Sequence, residues 1–508
     1  MEEHKSLQTI AKGAGLVMVG LFISKLLTYL YRIVVARIGA EQYGLFSLGL
    51  AVFGILNVVA LFGLGNGVVR YVAYYKGIND NKKIRQVINT ALKITIPISL
   101  ILAFLLFKFS DWVAITFFNN QDLSMILKII AFAIPLSAVS EIFLSTFKAF
   151  QRVEYEVYIK HIIEGVVKIT LTFLFLFVFA FGVLGAVAAY VIASFGTLIL
   201  SFYFLNRKVF SFVKKEKTTF NKELFSYSWP LLFYGIIGLI LLWTDTFMLG
   251  YFLNASLVGI YNAASPTANL MYLVPYALMV LVLPVMTELY SKGNKDELKL
   301  VYKSVTKWIL MINAVFLTLV FIFSEQILNI FFGKEYAVGA PVLILLATCY
   351  FLSYLTSGAT RILMVLKKTK LIFLNSAIAA VFNIVLNYFL IRSYGIIGAA
   401  IATGTAIVII SILQTIEVYH MTKMNPFKFN NLKILISAII VFLIMRIIIS
   451  QFIVDNLYRL IAASLVFLVI YTISLLITRT LDKDDLTVIE IFEGRIGRKI
   501  GFIRRFIK

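Results

Sequence analysis

The sequence predicts an all-α polytopic membrane protein, with 14 transmembrane helices arranged as two pseudo-symmetric six-helix lobes plus two C-terminal helices. Three observations lead there. Of the 508 residues 61% are hydrophobic and only 14% charged, with mean hydropathy +0.94, far from the balance of a soluble domain. Apolar runs of roughly 20 residues, the length that crosses a bilayer core, recur along the whole chain. Lys and Arg crowd alternate loops, as the positive-inside rule requires of a chain that crosses repeatedly.

The first seven runs cover 14–36, 44–66, 87–107, 124–147, 159–180, 183–205 and 225–249. The second seven cover 258–287, 308–323, 337–360, 371–390, 395–419, 434–449 and 458–478. The first is too long for the core of a cleaved signal peptide and reads as a signal anchor that stays. Pro266, Pro275 and Pro284 crowd the eighth run, which should therefore kink. Loops on one side carry basic stretches such as Arg70 to Arg85, Arg207 to Lys222 and Lys292 to Lys307, whereas the other side holds only Arg37, Lys108, Lys334 and Arg392. That asymmetry implies a multi-pass plasma-membrane protein with both termini cytoplasmic.

An internal repeat organises these runs. "GVLGAVAAYVIASFGTLIL" (182–200) matches "GIIGAAIATGTAIVIISIL" (395–413) at 7 of 19 positions, an offset of 213. An offset of 215 lays "GLFSLG" (44–49) on "GIYNAA" (259–264). The implied division is an N-terminal lobe 1–206, a basic cytoplasmic linker 207–222, a C-terminal lobe 223–425, appended helices 426–480 and a basic tail 481–508. Six spans per lobe is even, so the repeat is parallel, a design that puts substrate between lobes that rock. The tail's "RIGRKIGFIRRFIK" reads as an amphipathic helix on anionic lipid, and Asp482, Asp484 and Asp485 as a solvated helix start.

Charges inside the runs are the candidate functional residues, because an ion in hydrocarbon costs a few kcal/mol or more and normally faces a wet cavity. In the first run Lys25, Thr28, Tyr29 and Arg32 fall at i, i+3, i+4 and i+7, one polar face with Lys25 ~16 Å deep. His161, Glu164, Lys168 and Thr172 make a second stripe, either substrate-facing or a pair that neutralises itself. Ser137, Glu141 and Ser145 make a third. Three cations against two carboxylates leave the N-terminal half attractive to anions such as a diphosphate. The C-terminal half carries neutral Asn262, Asn269, Tyr354, Ser357, Asn375, Asn383 and Asn387, helix glue or sugar ligands. Asp245, Glu164 and Glu141 are the candidates for a coupling proton or sodium ion, with Asp245 alternatively placed to neutralise Arg32. No other cofactor is expected. The lone Cys349 and the absence of Cys/His spacing argue against a structural metal.

"ARIGAEQYGLFSLG" (36–49), "GLGNGVVRYVAYY" (63–75) and "VGIYNAA" (258–264), with the 6+6+2 pattern, resemble the polysaccharide-transporter (O-antigen flippase type) family of the multidrug/oligosaccharidyl-lipid/polysaccharide export superfamily. The resemblance implies flipping of isoprenoid-diphosphate-linked oligosaccharide from inner to outer leaflet, with membrane lipids around it and glycan polymerase or ligase machinery as further partners. It also implies a cationic central cavity, carried here onto Lys25 and Arg32 by position and onto Lys168 by span and depth. Alternatives are a multidrug antiporter of the same superfamily and a peptidoglycan lipid-precursor flippase. A nucleic-acid partner does not fit the +22 charge, whose basic residues are scattered between apolar runs. A membrane enzyme lacks any catalytic motif, and the short loops leave no room for a soluble domain.

Overall fold

The computed structural model describes residues 20–212, 219–356, 358–428, 430–449, 456–478, 480–482 and 484–488. All regular structure among them is helical. Among the described residues eleven helices are long and apolar enough to cross a membrane, or twelve if the bent pair Ala255–Met279 and Val282–Ser291 is one span. The basic tail 495–508, Ser357 and most of the linker's lysines lie outside the described residues. Two compact units form, 1–263 and 264–508.

The first unit contains α1 (20–36), α2 (Ala40–Leu61), α3 (Leu64–Gly77), α4 (Asn81–Phe118), α5 (Asp122–Ala131) and α6 (Ala133–Ala149). It continues with α7 (Val153–Val178), α8 (Gly182–Val209), α9 (Lys222–Phe252) and the start of α10 (Ala255–Asn269). The 38-residue α4 is roughly 57 Å long, so it outruns a bilayer core of ~30 Å. Asp80 starts it by accepting the Lys83 N–H at 2.9 Å. Val68 and Val72 of α3 bury against Ile84, Val87 and Ile88 of α4, Phe143 and Phe147 of α6 and Leu224 of α9. That apolar knot ties these helix ends together.

Two glycine sites shape this unit. Gly44 and Gly259 sit where α2 crosses α10, and a Cβ on Gly44 would lie 1.7 Å from the Ala255 carbonyl oxygen, while one on Gly259 would lie 1.9 Å from that of Ala40. Only glycine permits backbones this close, the small-residue packing common between membrane helices. Ala40 and Gly44 plus 215 are Ala255 and Gly259, so the contact is reciprocal and the repeat meets itself there. At the second site Gly182 (φ 57°) turns the chain from α7 into α8, and its repeat mate Gly395 (φ 59°) turns it again in the second unit.

The second unit holds the end of α10, α11 (Leu273–Ser291), α12 (Lys295–Phe331), α13 (Ala340–Tyr354), α14 (Ala359–Val365), α15 (Thr369–Thr422), α16 (Asn430–Ile449) and α17 (Leu457–Ile477). The expected run 258–287 is interrupted twice, by a 3₁₀ turn at Leu270–Tyr272 and by a 42° bend between Met279 and Val282. The bend lies about one turn before Pro284, whose ring displaces the carbonyl four residues earlier. The 54-residue α15 breaks at Gly395 (φ 59°, ψ −132°). Asn383 donates to Thr403 at 2.8 Å and Asn375 to Glu417 at 2.9 Å. Those pairs are nearly symmetric in sequence about the break, so the limbs run antiparallel, side by side, and the asparagines act as glue between them.

One expectation holds only in part here. Asp482, Asp484 and Asp485 do stand at a helix start, residues 484–488, with Asp484 about half exposed, but they are not merely solvated: the Asp485 side chain is fully buried, 2.5 Å from the equally buried Lys307 ammonium of α12. Lys307 also meets Asp482 at 3.1 Å, Trp308 donates to Asp485 at 2.8 Å, and Lys428 pairs with Asp482 at 3.1 Å and with Asp484. Burial pushes the Asp482 carboxyl up, but Lys307 and Lys428 outweigh it and hold it at about 2. A fully buried lysine needs such a partner, since an isolated ammonium in the interior is prohibitive.

Candidate functional site

Parts of two stripes of the first unit, on α1 and α7, meet at one cavity of about 350 Å³, lined by α1, α2, α7, α8 and α9. Helix α1 presents Ser24, Leu27, Thr28, Tyr31 and Arg32 to it. The polar face of this helix is thus turned from the expected one: Ser24 and Tyr31 face the cavity, whereas Lys25 is exposed and neither Lys25 nor Tyr29 is among the lining residues. One residue is about 100° on a helix, so the two faces differ by roughly one residue of register. Arg32 donates to the Tyr43 hydroxyl at 3.4 Å, which in turn donates to the Asn262 carbonyl at 3.1 Å.

Helix α7 brings Lys160, His161, Glu164 and Lys168. Glu164 bridges to Lys168 at 2.5 Å and accepts the Thr197 hydroxyl of α8 at 2.9 Å with its other oxygen. The Lys168 ammonium also stands 4.0 Å from the centre of the Tyr190 ring, a cation–π contact. His161 shares a hydrogen bond of 3.0 Å with Ser24, the role of an interface residue.

A second cavity of about 90 Å³ opens beside the first and shares Phe53, Lys160, Glu164 and Tyr190 with it. Its other polar lining includes Glu141, Ser137, Ser140 and Asn57, and the buried Asn57 Oδ1 has no hydrogen-bond partner among the described residues. Glu141 meets Lys160 at 2.5 Å and Lys148 at 3.6 Å, and Lys148 meets Glu156 at 2.9 Å. Acid and base therefore alternate from the loop end of α6 toward the larger cavity.

Asp245 of α9 is buried and accepts the Tyr261 hydroxyl; it lines neither cavity. Lys160, Tyr190 and Trp243 are lining residues that the sequence stripes omit. Lys160 was within reach, for 160, 164 and 168 form an i, i+4, i+8 row. Counting from His161 hid it, and the π-helical turn Val157–Ile163 shifts the register just there. Trp243 has no such signal, because it arrives from a helix 75 residues beyond Lys168.

No group of three or more His, Cys, Asp or Glu is placed to hold a metal ion among the described residues. With Arg32, Lys160 and Lys168 against Glu164 and Glu141, the paired cavities hold more cations than carboxylates. Such a site suits an anion with several oxygens.

Comparison with known proteins places this architecture. An uncharacterized membrane protein of Methanocaldococcus jannaschii is 27% identical over 490 residues, 91% of this chain and 94% of its own. The protein of Haloferax volcanii named "probable low-salt glycan biosynthesis flippase Agl15" is 28% identical over 404 residues, 79% of each chain. Among solved structures, the inward closed conformation of the lipid II flippase MurJ superposes with TM-score 0.69 at 18% identity, covering 90% of this chain and 97% of that one. The MatE profile matches residues 230–389. The polysaccharide biosynthesis protein profile matches residues 10–290, more than half of the 508, and the chain belongs to that family.

Proposed function

We propose that this protein is a flippase that carries an isoprenoid-diphosphate-linked oligosaccharide from the inner to the outer leaflet by alternating access. The observation that carries the reading is the cavity in which Arg32, Lys160 and Lys168 converge inside an apolar helical unit. Cations held there without a use would be a liability in a bilayer, whereas a diphosphate supplies oxygens for all of them. The name of the Haloferax relative, a glycan flippase, supports the same class of cargo. Arg32 and Lys168 take the headgroup, with Lys25 and Tyr29 beside the lining residues Ser24 and Thr28 on α1 as approach contacts. Tyr190 and Trp243 offer ring faces to the adjoining sugar.

The finer architecture belongs to this proposal: fourteen spans as 6+6+2 and both termini in the cytoplasm. Asp245, Glu164 and Glu141 are its candidates for a coupling proton or sodium ion. Membrane lipids surround the carrier, and polymerase or ligase machinery would receive the cargo. A peptidoglycan lipid precursor is the second reading, favoured by the fold shared with the lipid II flippase. A cationic drug suits this cavity poorly because most of its charged lining is positive.

Reconstitution into vesicles with fluorescent lipid-linked oligosaccharides, including the peptidoglycan precursor, tests both readings. Protein-dependent transfer between leaflets is the expected result, and its loss is expected in Arg32→Gln and Lys168→Gln. Transfer that is absent for every diphosphate-linked lipid, or indifferent to both substitutions, would overturn the assignment.

A further inference from the structure

Every cavity lysine already has a carboxylate. Glu164 occupies Lys168 at 2.5 Å, and Glu141 occupies Lys160 at 2.5 Å. Arg32 differs, being bonded to a neutral phenol. Among the described residues, an incoming anion thus meets one cation without a carboxylate and two that must be won by exchange. Glu164 is placed for exchange: one oxygen holds Lys168, the other the Thr197 hydroxyl, and Lys160 stands one helical turn away on the same row.

We propose that Glu164 is an exchangeable counter-ion that a diphosphate displaces from Lys168 and that retakes Lys168 when the cargo leaves. This rests on the reading of the cavity as a diphosphate site. Exchange keeps each buried charge partnered at every stage, so no lone ammonium or carboxylate has to be stranded in a low-dielectric site. The displaced carboxylate keeps its Thr197 hydrogen bond and turns toward Lys160. A carrier also has to let go. Bare lysines would hold a diphosphate through charge-assisted bonds of the strong kind, and a resident competitor weakens that hold while leaving the site cationic. Glu164 is accordingly a positioning residue that sets release, and its loss should tighten binding while slowing transport.

The test uses the purified full-length chain in nanodiscs, titrated with farnesyl diphosphate, with farnesol and inorganic pyrophosphate as separate arms for tail and headgroup. Glu164→Gln should bind farnesyl diphosphate about tenfold more tightly than the unmodified chain and release it more slowly, the size of one charged hydrogen bond. Lys168→Gln should bind about tenfold more weakly by the same measure. In the double variant the gain from Glu164→Gln should vanish, which a merely structural role for Glu164 would not produce. Should Glu164→Gln fold poorly, Thr197→Val, which loosens the carboxylate without changing charge, should tighten binding in the same direction by a smaller factor. Equal or weaker binding in folded Glu164→Gln, or a gain that persists without Lys168, overturns the exchange. Binding of farnesol alone, or of nothing in any variant, sinks instead the diphosphate reading beneath it.

Discussion

Gly44 and Gly259 lie opposite one another at the α2–α10 crossing, each so near its mate that an added Cβ would sit 2.9 to 3.0 Å from the other's backbone nitrogen. The nearest obstacles are backbone carbonyls, which cannot step aside as a side-chain tip can. Gly44→Ala and Gly259→Ala should each lower the thermal midpoint, with a destabilisation of about 1–3 kcal/mol from overpacking. Gly196→Ala and Gly238→Ala, where nothing lies within 4 Å, should be neutral or slightly stabilising, since alanine favours helix. Unfolding curves of the four variants in one detergent check the contrast.

The turn at Gly395 combines φ 59° with ψ −132°, a region that side-chain-bearing residues essentially never occupy. Gly395→Ala should cost about 1–3 kcal/mol and loosen the α15 hairpin. Cross-linking of a cysteine pair placed at Asn383 and Thr403, in a chain whose own Cys349 is replaced by Ser, reports it: efficient while Gly395 is kept, reduced once Gly395→Ala is added.

Lys307 and Asp485 form a pair with both side chains fully buried. Removing one partner strands the other, so Asp485→Ala should destabilise the second unit by roughly 3–5 kcal/mol. Replacing both by apolar residues, as in Lys307→Met with Asp485→Leu, should recover most of that. Thermal midpoints of the single and double variants decide it.

Acid should reveal the neighbouring carboxylate. Against the upward push of burial, Lys307 and Lys428 hold the folded Asp482 carboxyl down to about 2, compared with ~3.9 when unfolded. Its contribution to stability is therefore complete above pH ~4 and lost as pH falls toward 2. Midpoints measured from pH 7 to pH 3 should drop at the acid end of that range for the unmodified chain and drop less for Asp482→Asn.

Much of this was legible in the residues alone. Apolar runs located the long helices because membrane helices need little beyond length and hydrophobicity, and the segments that the 213–215 repeat superposes contain the glycines found to turn or cross. Charge spacing brought Glu164 to Lys168 correctly, since both are on one helix. What failed depended on partners far along the chain. Asp485 looked solvated because Lys307 is 178 residues earlier, and nothing local tells which edge of the α1 stripe, Ser24 and Tyr31 or Lys25 and Tyr29, lines the cavity. The π-helical turn Val157–Ile163 has no sequence period to betray it, although the row of 160, 164 and 168 does point to Lys160.

The aspartates that neutralise Lys307 lie C-terminal to α17. A ribosome must therefore pass residue 485 before that ammonium acquires its counter-charge, and until then α12 waits in the translocon or bilayer with an uncompensated cation beside its apolar stretch. Helices α16 and α17 are thus more than an optional extension: a gene shortened to the repeat alone would leave α12 permanently unneutralised, and quality-control proteolysis of the truncated product would be its expected fate.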